Sequence, residues 1–497
     1  MTTTPSTTTG AISSAGIGSG LDVKGIISSL MAVEAQPLQL LQDKASTVST
    51  EISAVGQIQS LTSALSDKAH ALSSTKLWTQ TTSSSSDTTA VTADTSGGTA
   101  AAGDYSVSVQ QLAQGQTATL STPASALTAG TIVIQLGKYT SDGATPPTLS
   151  FSPNGAAAPP ITIGPGDTSL ASIRDKINQA NAGVSASIIT DASGSRLSLR
   201  STTTGETNGF QITATEATND GDPTKGLSAL NFDASTSAAN SQLTLNQLAQ
   251  NAKATVNGIA VTSATNKLSN VSDGLSLTLL KKTDTPIDVS VSGDTASMQK
   301  AITDFVASYS ALQSYISLQT KYDSATAVAA GKARKDGPLQ GDPSIVGFQN
   351  QLRAVVNTTS TTSSMFSRLS DLGIAVQTDG TLAVSNSTKL TSALQHPDEL
   401  SKLFTTYGTT NEDTGIAVRF ATLASNAVTV NGALFSRADG LRGELSRNQK
   451  QQDDMQTHLD ATQVRLTAQY QALDTTMSKM SALSSYVSQQ VTLMEKA

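Results

Sequence analysis

The sequence predicts an α+β protein whose N- and C-terminal segments form a long helical bundle with coiled-coil ends, and whose β-rich head domains are inserted between them. Apolar residues recur at spacings of three and four near both ends of the chain, as in amphipathic helices. Between about residues 80 and 294 the pattern changes to alternation, which is typical of strands. At 497 residues the chain is also too long for a single core, so we expect several domains.

The N-terminal segment predicts a disordered leader followed by a helix, over residues 1–40. The leader is rich in threonine and serine, carries no lysine or arginine before Lys24 and has no apolar run, so it lacks the features of a cleaved secretory signal. We therefore expect a protein that is soluble, or that is exported by a route without a cleaved signal. A helical stripe continues from Leu41 to Leu72, and Pro37 should divide the region into two helices.

The central region predicts short strands, beginning with the alternation of Tyr105, Val107 and Val109 and ending near Val291. We expect an inner head domain (residues 80–116 and 220–294) and, inserted in it, an outer head domain (residues 117–219). One helix interrupts the outer head at Ser169–Ala180. We expect Asp167 and Thr168 to cap that helix.

The C-terminal part predicts helices again. Residues 41–79 and 295–440 should form a helical bundle domain containing a β-hairpin that turns on Asp379 and Gly380. Residues 441–497 should form a coiled-coil helix, because one heptad position is apolar throughout except at Gln452. For the first half of this helix, packing inside the subunit and packing on another subunit are equally compatible with the pattern. For about the last 30 residues we expect contact with other subunits.

The predicted assembly interface combines the first helical stripe with the heptad stripe of the last helix. A stripe of this kind needs another apolar surface to cover it. The residues are Val23, Ile26, Ile27, Leu30, Leu459, Leu466, Leu473, Met480, Val487 and Met494.

The sequence predicts no catalytic, metal-binding or cofactor-binding residues, and we expect a protein that is not an enzyme. There is no cysteine, and His70, His396 and His458 lie far apart with no ligand spacing around them. A net charge of −7 argues against a nucleic-acid partner, which would call for a concentrated positive patch. No apolar run approaches the roughly 20 residues needed to insert into a membrane.

Several motifs, taken in order, resemble those of one family. The segment Gly16–Asp22 and the helix after it resemble the N-terminal opening of the flagellar filament cap proteins, a hook-associated, filament-capping family. Residues from Ile161 to Gly205 resemble the Ile-Asn motif of hook and flagellin proteins. The C-terminal region of the family is resembled by Leu339–Asp342, Leu372–Ile374, Asp379–Leu382 and the segment from Pro397 to Phe404.

This resemblance implies a secreted, homo-oligomeric cap at the distal tip of a bacterial flagellar filament, exported by the type III route. Such a cap guides flagellin polymerisation and prevents loss of flagellin. The partners implied are flagellin, the proteins of the hook-filament junction and a cytoplasmic export chaperone. The motif residues are expected to be structural, as turn glycines, a hairpin and core anchors.

Two other functions compete with this interpretation. The β-rich heads are compatible with a surface adhesin that binds host mucin or another glycan. A carbohydrate hydrolase in the β region ranks third, because paired carboxylates are recognised only in three dimensions. A heptad stripe in the last helix favours assembly over both.

Overall fold

The computed structural model describes residues 22–95, 100–121, 127–144, 148–235, 242–322 and 336–495. The chain divides into two compact units. A helical unit is formed by Met1–Thr75 together with Ala296–Ala497, and a β-rich unit by Lys76–Thr295. The N-terminal leader and the segment Gly16–Gly20 lie outside the described residues.

The described helices follow the predicted arrangement, with short ones between the long ones. In chain order they are α1 (Val23–Glu34), α2 (Gln36–Leu72), α3 (Thr75–Thr79), α4 (Leu170–Ala180), α5 (Thr295–Gln319), α6 (Pro343–Asn357), α7 (Ser387–Ala393), α8 (Pro397–Thr405), α9 (Ile416–Val428) and α10 (Ala433–Glu495). No helix within the described ranges has the length and uncharged apolar character that a bilayer-spanning segment requires.

The first two helices meet where proline predicts a break. Helix α1 begins at its cap residue Asp22, whose side chain accepts a hydrogen bond from the backbone N–H of Gly25 at 2.8 Å. It ends at Glu34, and α2 starts at Gln36 with Pro37 in its first turn, where a missing N–H is tolerated. The prediction of two helices joined near Pro37 is confirmed.

An aromatic cluster forms the centre of the helical unit. The ring of Phe420 on α9 lies 5.1 Å from the ring of Phe305 and 5.7 Å from that of Tyr309, both on α5. These side chains are almost fully buried. Lys68 of α2 forms a 3.0 Å ion pair with Asp304 of α5, so α5 contacts α2 as well. Helix α9, which was not individually predicted, thus supplies the central aromatic partner of α5.

The β-rich unit contains four sheets built from sixteen described strands, and the helical unit contains one hairpin. The strands are β1 (Thr81–Ser85), β2 (Val91–Asp94), β3 (Gly103–Gln111), β4 (Thr117–Leu120), β5 (Gly130–Ser141), β6 (Leu149–Pro153), β7 (Ile161–Ile163), β8 (Val184–Asp191), β9 (Gly194–Ser201), β10 (Gly209–Glu216), β11 (Leu243–Gln247), β12 (Ala252–Val256), β13 (Ile259–Ser263), β14 (Lys267–Ser272), β15 (Leu275–Leu279), β16 (Ile287–Gly293), β17 (Ile374–Val376) and β18 (Leu382–Val384).

Two separate apolar cores lie within the β-rich unit. The sheets β1-β16-β3-β12-β13 and β14-β15-β2 enclose one core, which includes Val107 and Leu277. The sheet of β10, β5, β6 and β7 and the sheet β11-β4-β9-β8 enclose the other with helix α4. This second core reaches Phe232 and Leu243, so we propose that the outer head extends beyond the boundary expected at residue 219.

Helix α4 shows how the Ile-Asn motif works structurally. Ile177 is buried in the second core, while the amide of Asn178 both donates to and accepts from the backbone of Ala186, at 2.9 and 2.7 Å. This pair of bonds fixes α4 to β8. One detail of the prediction is wrong, because the helix is capped by Ser169 rather than by Asp167 or Thr168. Asp167 instead forms an ion pair with Lys176.

The predicted hairpin and core anchors of the helical unit are confirmed. Strands β17 and β18 pair antiparallel, and Gly380 in their connection has a φ of +84°, a conformation that glycine adopts without strain. The side chain of Asp379 accepts the N–H of Thr381. Leu403 and Phe404 of α8 are buried.

Candidate assembly interface

The long helix α10 is anchored on α2 in an antiparallel arrangement. It begins at Ala433, earlier than the start predicted at residue 441, and runs for 63 residues. Lys44 forms a 3.0 Å ion pair with Glu444. Further along, the side-chain N–H of Gln452 donates to the carbonyl of Leu41 at 3.4 Å. As α2 is followed towards its N-terminus, its partners therefore lie progressively nearer the C-terminus of α10.

An ion-pair junction fixes the start of α10. Asp342 caps helix α6 by accepting the backbone N–H of Ser344 and Ile345, and it also accepts a hydrogen bond from Arg437 of α10. The same guanidinium donates to Glu51 of α2 at 3.2 Å. Burial raises the pKa of Glu51 above its usual value. This junction explains why the predicted turn at Leu339–Asp342 ends in an aspartate.

The first half of α10 packs inside the subunit, which resolves the alternatives that the sequence left open. Leu459 of the heptad stripe is buried, and so are Leu441, Asn448 and Thr462, which recur at a second, neighbouring heptad position. The side-chain carbonyl of Asn448 accepts from Gln452 at 2.6 Å, so two polar residues satisfy part of each other's hydrogen-bonding capacity. Polar residues in the stripe are therefore compatible with a buried intrasubunit face.

Helix α1 continues the same antiparallel packing next to α10. Val23 is 2% exposed, whereas Ile26 and Ile27 are half-buried and Leu30 is 39% exposed. A cleft of about 560 Å³ runs between the two helices, and its lining includes Val23, Ile27, Met31, Gln463 and Thr467. The N-terminal stripe is thus only partly covered within the subunit.

Beyond Leu466, which is itself half-buried, the heptad stripe of α10 is exposed. Leu473 is 46% exposed, Met480 62%, Val487 52% and Met494 75%. Two exposed apolar residues that the sequence analysis did not select, Met477 and Val491, each follow a stripe residue by four positions and so share its side of the helix. We call the combined set the tail stripe. It consists of Leu473, Met477, Met480, Val487, Val491 and Met494.

The predicted interface residues therefore fall into two groups. Val23 and Leu459 contribute to packing within the subunit, because the antiparallel contact of α10 with α1 and α2 already buries them. The half-buried or exposed residues keep apolar surface that a second molecule can cover. They are Ile26, Ile27, Leu30, Leu466, Leu473, Met480, Val487 and Met494.

Within the described ranges, no three histidine, aspartate or glutamate side chains come together in a way that could hold a metal ion. The three histidines are exposed. The two buried features that sequence reasoning missed are the Arg437 junction and Arg419, an arginine on α9 that is 5% exposed.

Family models match most of the chain. The model of the N-terminus of flagellar hook-associated protein 2 matches residues 19–116, and that of its C-terminus matches residues 249–482. The flagellin hook IN motif matches residues 160–203, which contain β7, α4, β8 and β9.

Known proteins are similar over nearly the full length. Flagellar hook-associated protein 2 of Escherichia coli strain K12 is 32% identical over 483 residues, covering 97% of this chain and 98% of that protein. The B-type flagellar hook-associated protein 2 of Pseudomonas aeruginosa PAO1 is 31% identical, with 94% of each chain covered. The crystal structure of the D1-D2-D3 domains of the Escherichia coli flagellar cap protein FliD matches with a TM-score of 0.56 and 29% identity, covering 78% of this chain and 99% of that one.

Proposed function

The chain belongs to the flagellar hook-associated protein 2 family, the flagellar filament cap proteins, and we propose that its subunits assemble into the cap through the tail stripe. In this function a homo-oligomer of the chain caps the distal end of the filament, guides the polymerisation of flagellin and prevents its loss. The observation that carries the proposed interface is the exposure of a regular apolar stripe on a helix whose first half is firmly packed.

The physical case for a partner rests on the length and regularity of the tail stripe. A lone helix in water is stabilised little by its own hydrogen bonds, and most helices are held by the packing of an apolar face. The exposed apolar face of the tail therefore favours burial against another apolar surface. Heptad spacing suits a second helix in particular. Met477, Met480 and Met494 supply flexible side chains that adapt to more than one neighbour. That property suits a cap whose contacts change as flagellin is added.

Removal of the tail gives the first test of the proposed interface. A chain lacking residues 469–497 should keep the melting transition of the β-rich unit, since the deleted residues belong to the helical unit. It should fail to form rings in electron micrographs. Cells that carry it in place of the full chain should release flagellin monomer into the medium. Normal filaments on such cells would contradict the proposal.

Two point variants on the same exposed helix separate the stripe from the helix as a whole. Met480 and Tyr486 are 62% and 58% exposed, but they point in directions roughly 120° apart at 3.6 residues per turn. Met480→Lys should prevent oligomer formation by burying a charge in the interface. Tyr486→Lys should leave it intact. Analytical ultracentrifugation of both proteins compares their oligomeric states. Equal loss of the oligomer in both would contradict the proposal that the tail stripe forms the interface.

The finer partners and the route of export are also our proposals. The family supports contact with flagellin and self-association. Proteins of the hook-filament junction, a cytoplasmic export chaperone, secretion through the type III route and binding of host mucin rest on the sequence resemblance or on the β-rich heads alone. Pull-down of the purified chain with each candidate partner tests the partners one at a time, with the tail deletion as the matched variant.

A further inference from the structure

The tail stripe is rich in methionine, and its methionines are exposed. Met477 is 42% exposed, Met480 62% and Met494 75%. Three of the six residues of the stripe are thus methionines, whereas the whole chain of 497 residues contains eight. Outside the stripe, Met365 is 53% exposed, and the other methionines that the structure describes are half-buried or buried. Accessible thioether groups are therefore concentrated on the tail.

The change from leucine to methionine follows the change in surroundings along α10. The heptad position of the stripe carries leucine in the packed half, at Leu445 and Leu459. Methionine occupies this position only further along, at Met480 and Met494. Leucine and methionine have similar volumes, and one replaces the other in an apolar interface at little cost. Methionine differs from leucine because its chain is more flexible and because its sulfur is open to oxidation.

Methionine is the side chain of this protein that peroxide would oxidise. The chain contains no cysteine, so no thiol competes for the oxidant. The single tryptophan, Trp78, is 2% exposed. In the reaction the thioether sulfur attacks one oxygen of hydrogen peroxide, and an S–O bond forms as the O–O bond breaks. The sulfur loses two electrons, the peroxide is reduced to water, and the product is methionine sulfoxide.

A sulfoxide changes the surfaces against which the tail stripe can pack. Its oxygen is a polar acceptor on a side chain that was apolar, and burial of such a group without a hydrogen-bond donor is unfavourable. Met477 and Met480 are three residues apart, and Met494 lies two heptads after Met480, so the three sulfoxides fall on one side of the helix. Oxidation therefore places a row of polar groups on the surface that the proposed interface buries.

We propose that Met477, Met480 and Met494 form an oxidation site that controls assembly of the chain, with hydrogen peroxide as the oxidant. This inference rests on the proposed function, because it takes the tail stripe as the interface between subunits. In a free subunit the three thioethers are exposed and react, and the sulfoxides then oppose association. In the assembled state the neighbouring subunit covers the thioethers and protects them. Oxidation therefore acts selectively on subunits that have not yet assembled.

Analytical ultracentrifugation of the full chain, before and after treatment with hydrogen peroxide, tests the site. The oxidised chain should associate at least about tenfold more weakly than the untreated chain. Peptide mass spectrometry of dilute, monomeric protein should find the added oxygen on the three tail methionines, at rates within about threefold of the rate at Met365. In the assembled protein the three rates should fall at least about tenfold below that of Met365, because the partner covers the sulfur atoms.

Three variants separate the tail methionines from the rest of the chain. The triple variant M477L/M480L/M494L keeps the stripe apolar, so it should assemble like the wild type and should still assemble after peroxide treatment. Met365→Leu, at the exposed methionine outside the stripe, should lose assembly on oxidation as the wild type does. Met480→Gln introduces a polar group without any oxidant and should weaken association, which keeps the test decisive should the triple variant fail to assemble.

The outcomes distinguish this inference from the proposed function. If the untreated chain does not associate, or if Met480→Lys associates like the wild type, the proposed interface is wrong and the inference fails with it. If the untreated chain associates through the tail stripe and the oxidised chain associates equally well, only the inference is overturned. Loss of assembly on oxidation of the triple variant would also overturn it, because the sensitive group would then lie elsewhere.

Discussion

The two halves of helix α10 carry the same apolar repeat but lie in different surroundings. Up to Leu459 the stripe is half-buried or buried against α2 and α1, and neighbouring residues such as Leu441 and Asn448 are fully buried. From Leu473 onward equally apolar residues are exposed. The comparison shows that a heptad pattern predicts which face of a helix is apolar, whereas the surface that covers this face depends on the rest of the chain.

The difference has a physical origin in the length of the partner helices. Helices α1 and α2 run antiparallel to α10, and α1 begins at Val23 opposite the region of Gln463 and Thr467. The tail stripe follows at once on α10. In a straight α-helix a heptad position drifts by about 20° per repeat around the helix. Met477 and Val491, each four residues after a heptad residue, lie on the opposite side of this drift and keep the apolar face on one side of the helix.

The largest loss of stability is expected from a substitution in the core of the helical unit, on which the first half of α10 packs. Phe305 is 1% exposed and contacts Phe420. Phe305→Ala should lower the free energy of unfolding by roughly 3 to 5 kcal/mol, through lost burial and the cavity left behind. Urea denaturation followed by far-UV circular dichroism measures the change. A loss below about 1 kcal/mol would show that this ring is not part of the core.

A matched pair of leucines on α10 compares its two halves directly. Leu441 is fully buried and Leu483 is 60% exposed. Leu441→Ala should cost roughly 2 to 5 kcal/mol, whereas Leu483→Ala should change stability by no more than about 0.5 kcal/mol. Urea denaturation of both variants, at a concentration where the chain is monomeric, makes the measurement. Similar losses in the two would mean that the tail is also covered within the subunit.

A smaller effect is expected at the junction that fixes the start of α10. Asp342→Ala removes the cap of α6 and one of the two carboxylates that bind Arg437. We expect a loss of roughly 1 to 3 kcal/mol, since a helix cap and a largely buried ion pair are broken together. Asp439→Ala, at an exposed position two residues after Arg437, serves as the control. If both variants unfold at the same urea concentration, the junction contributes nothing to stability.

Much of the fold could be predicted because periodicity reports local structure. The break at Pro37, the strand alternation around Val107 and the hairpin at Gly380 all depend on short-range backbone preferences. The cap of α4 was misplaced by one or two residues, since Asp167, Thr168 and Ser169 are all capable caps in sequence. Only tertiary contacts, such as the ion pair of Asp167 with Lys176, decide among them.

The candidate site was predictable in part for the same reason. The heptad residues of the tail stripe follow from their spacing alone. Met477 and Val491 could have been predicted as well, because each lies four residues after a heptad residue and so on the same side of the helix. The Arg437 junction joins residues far apart in sequence, on α2, α6 and α10. Arg419 is the single charged residue of helix α9, where nothing in the sequence shows that its guanidinium is buried without a carboxylate.

The smallest expected effect concerns acid, which should loosen the packed body around α8. Glu399 accepts hydrogen bonds from the Lys402 ammonium at 2.8 Å, from the Ser363 hydroxyl at 2.7 Å and from the Ser364 N–H at 2.8 Å. These bonds, that of Lys402 above all, lower the pKa of Glu399 from 4.5 to about 2. Because the folded state favours the ionised form, the carboxylate stabilises the fold above pH 4.5, and this contribution is lost as the pH falls towards 2.

Glu399→Gln should therefore make stability less dependent on pH in this window. The variant should unfold at lower urea concentration than the wild type at pH 6, and the difference should shrink steadily between pH 4.5 and 2, because protonation removes the same charge from the wild type. Asp398→Asn, at the neighbouring carboxylate in the first turn of α8, provides the control and should keep the wild-type slope. Since the side chain of Glu399 is partly exposed to solvent, we expect a small change in midpoint. A difference between wild type and Glu399→Gln that stays constant from pH 6 to pH 2 would show that the hydrogen bonds, and not the charge, connect α8 to Ser363 and Ser364.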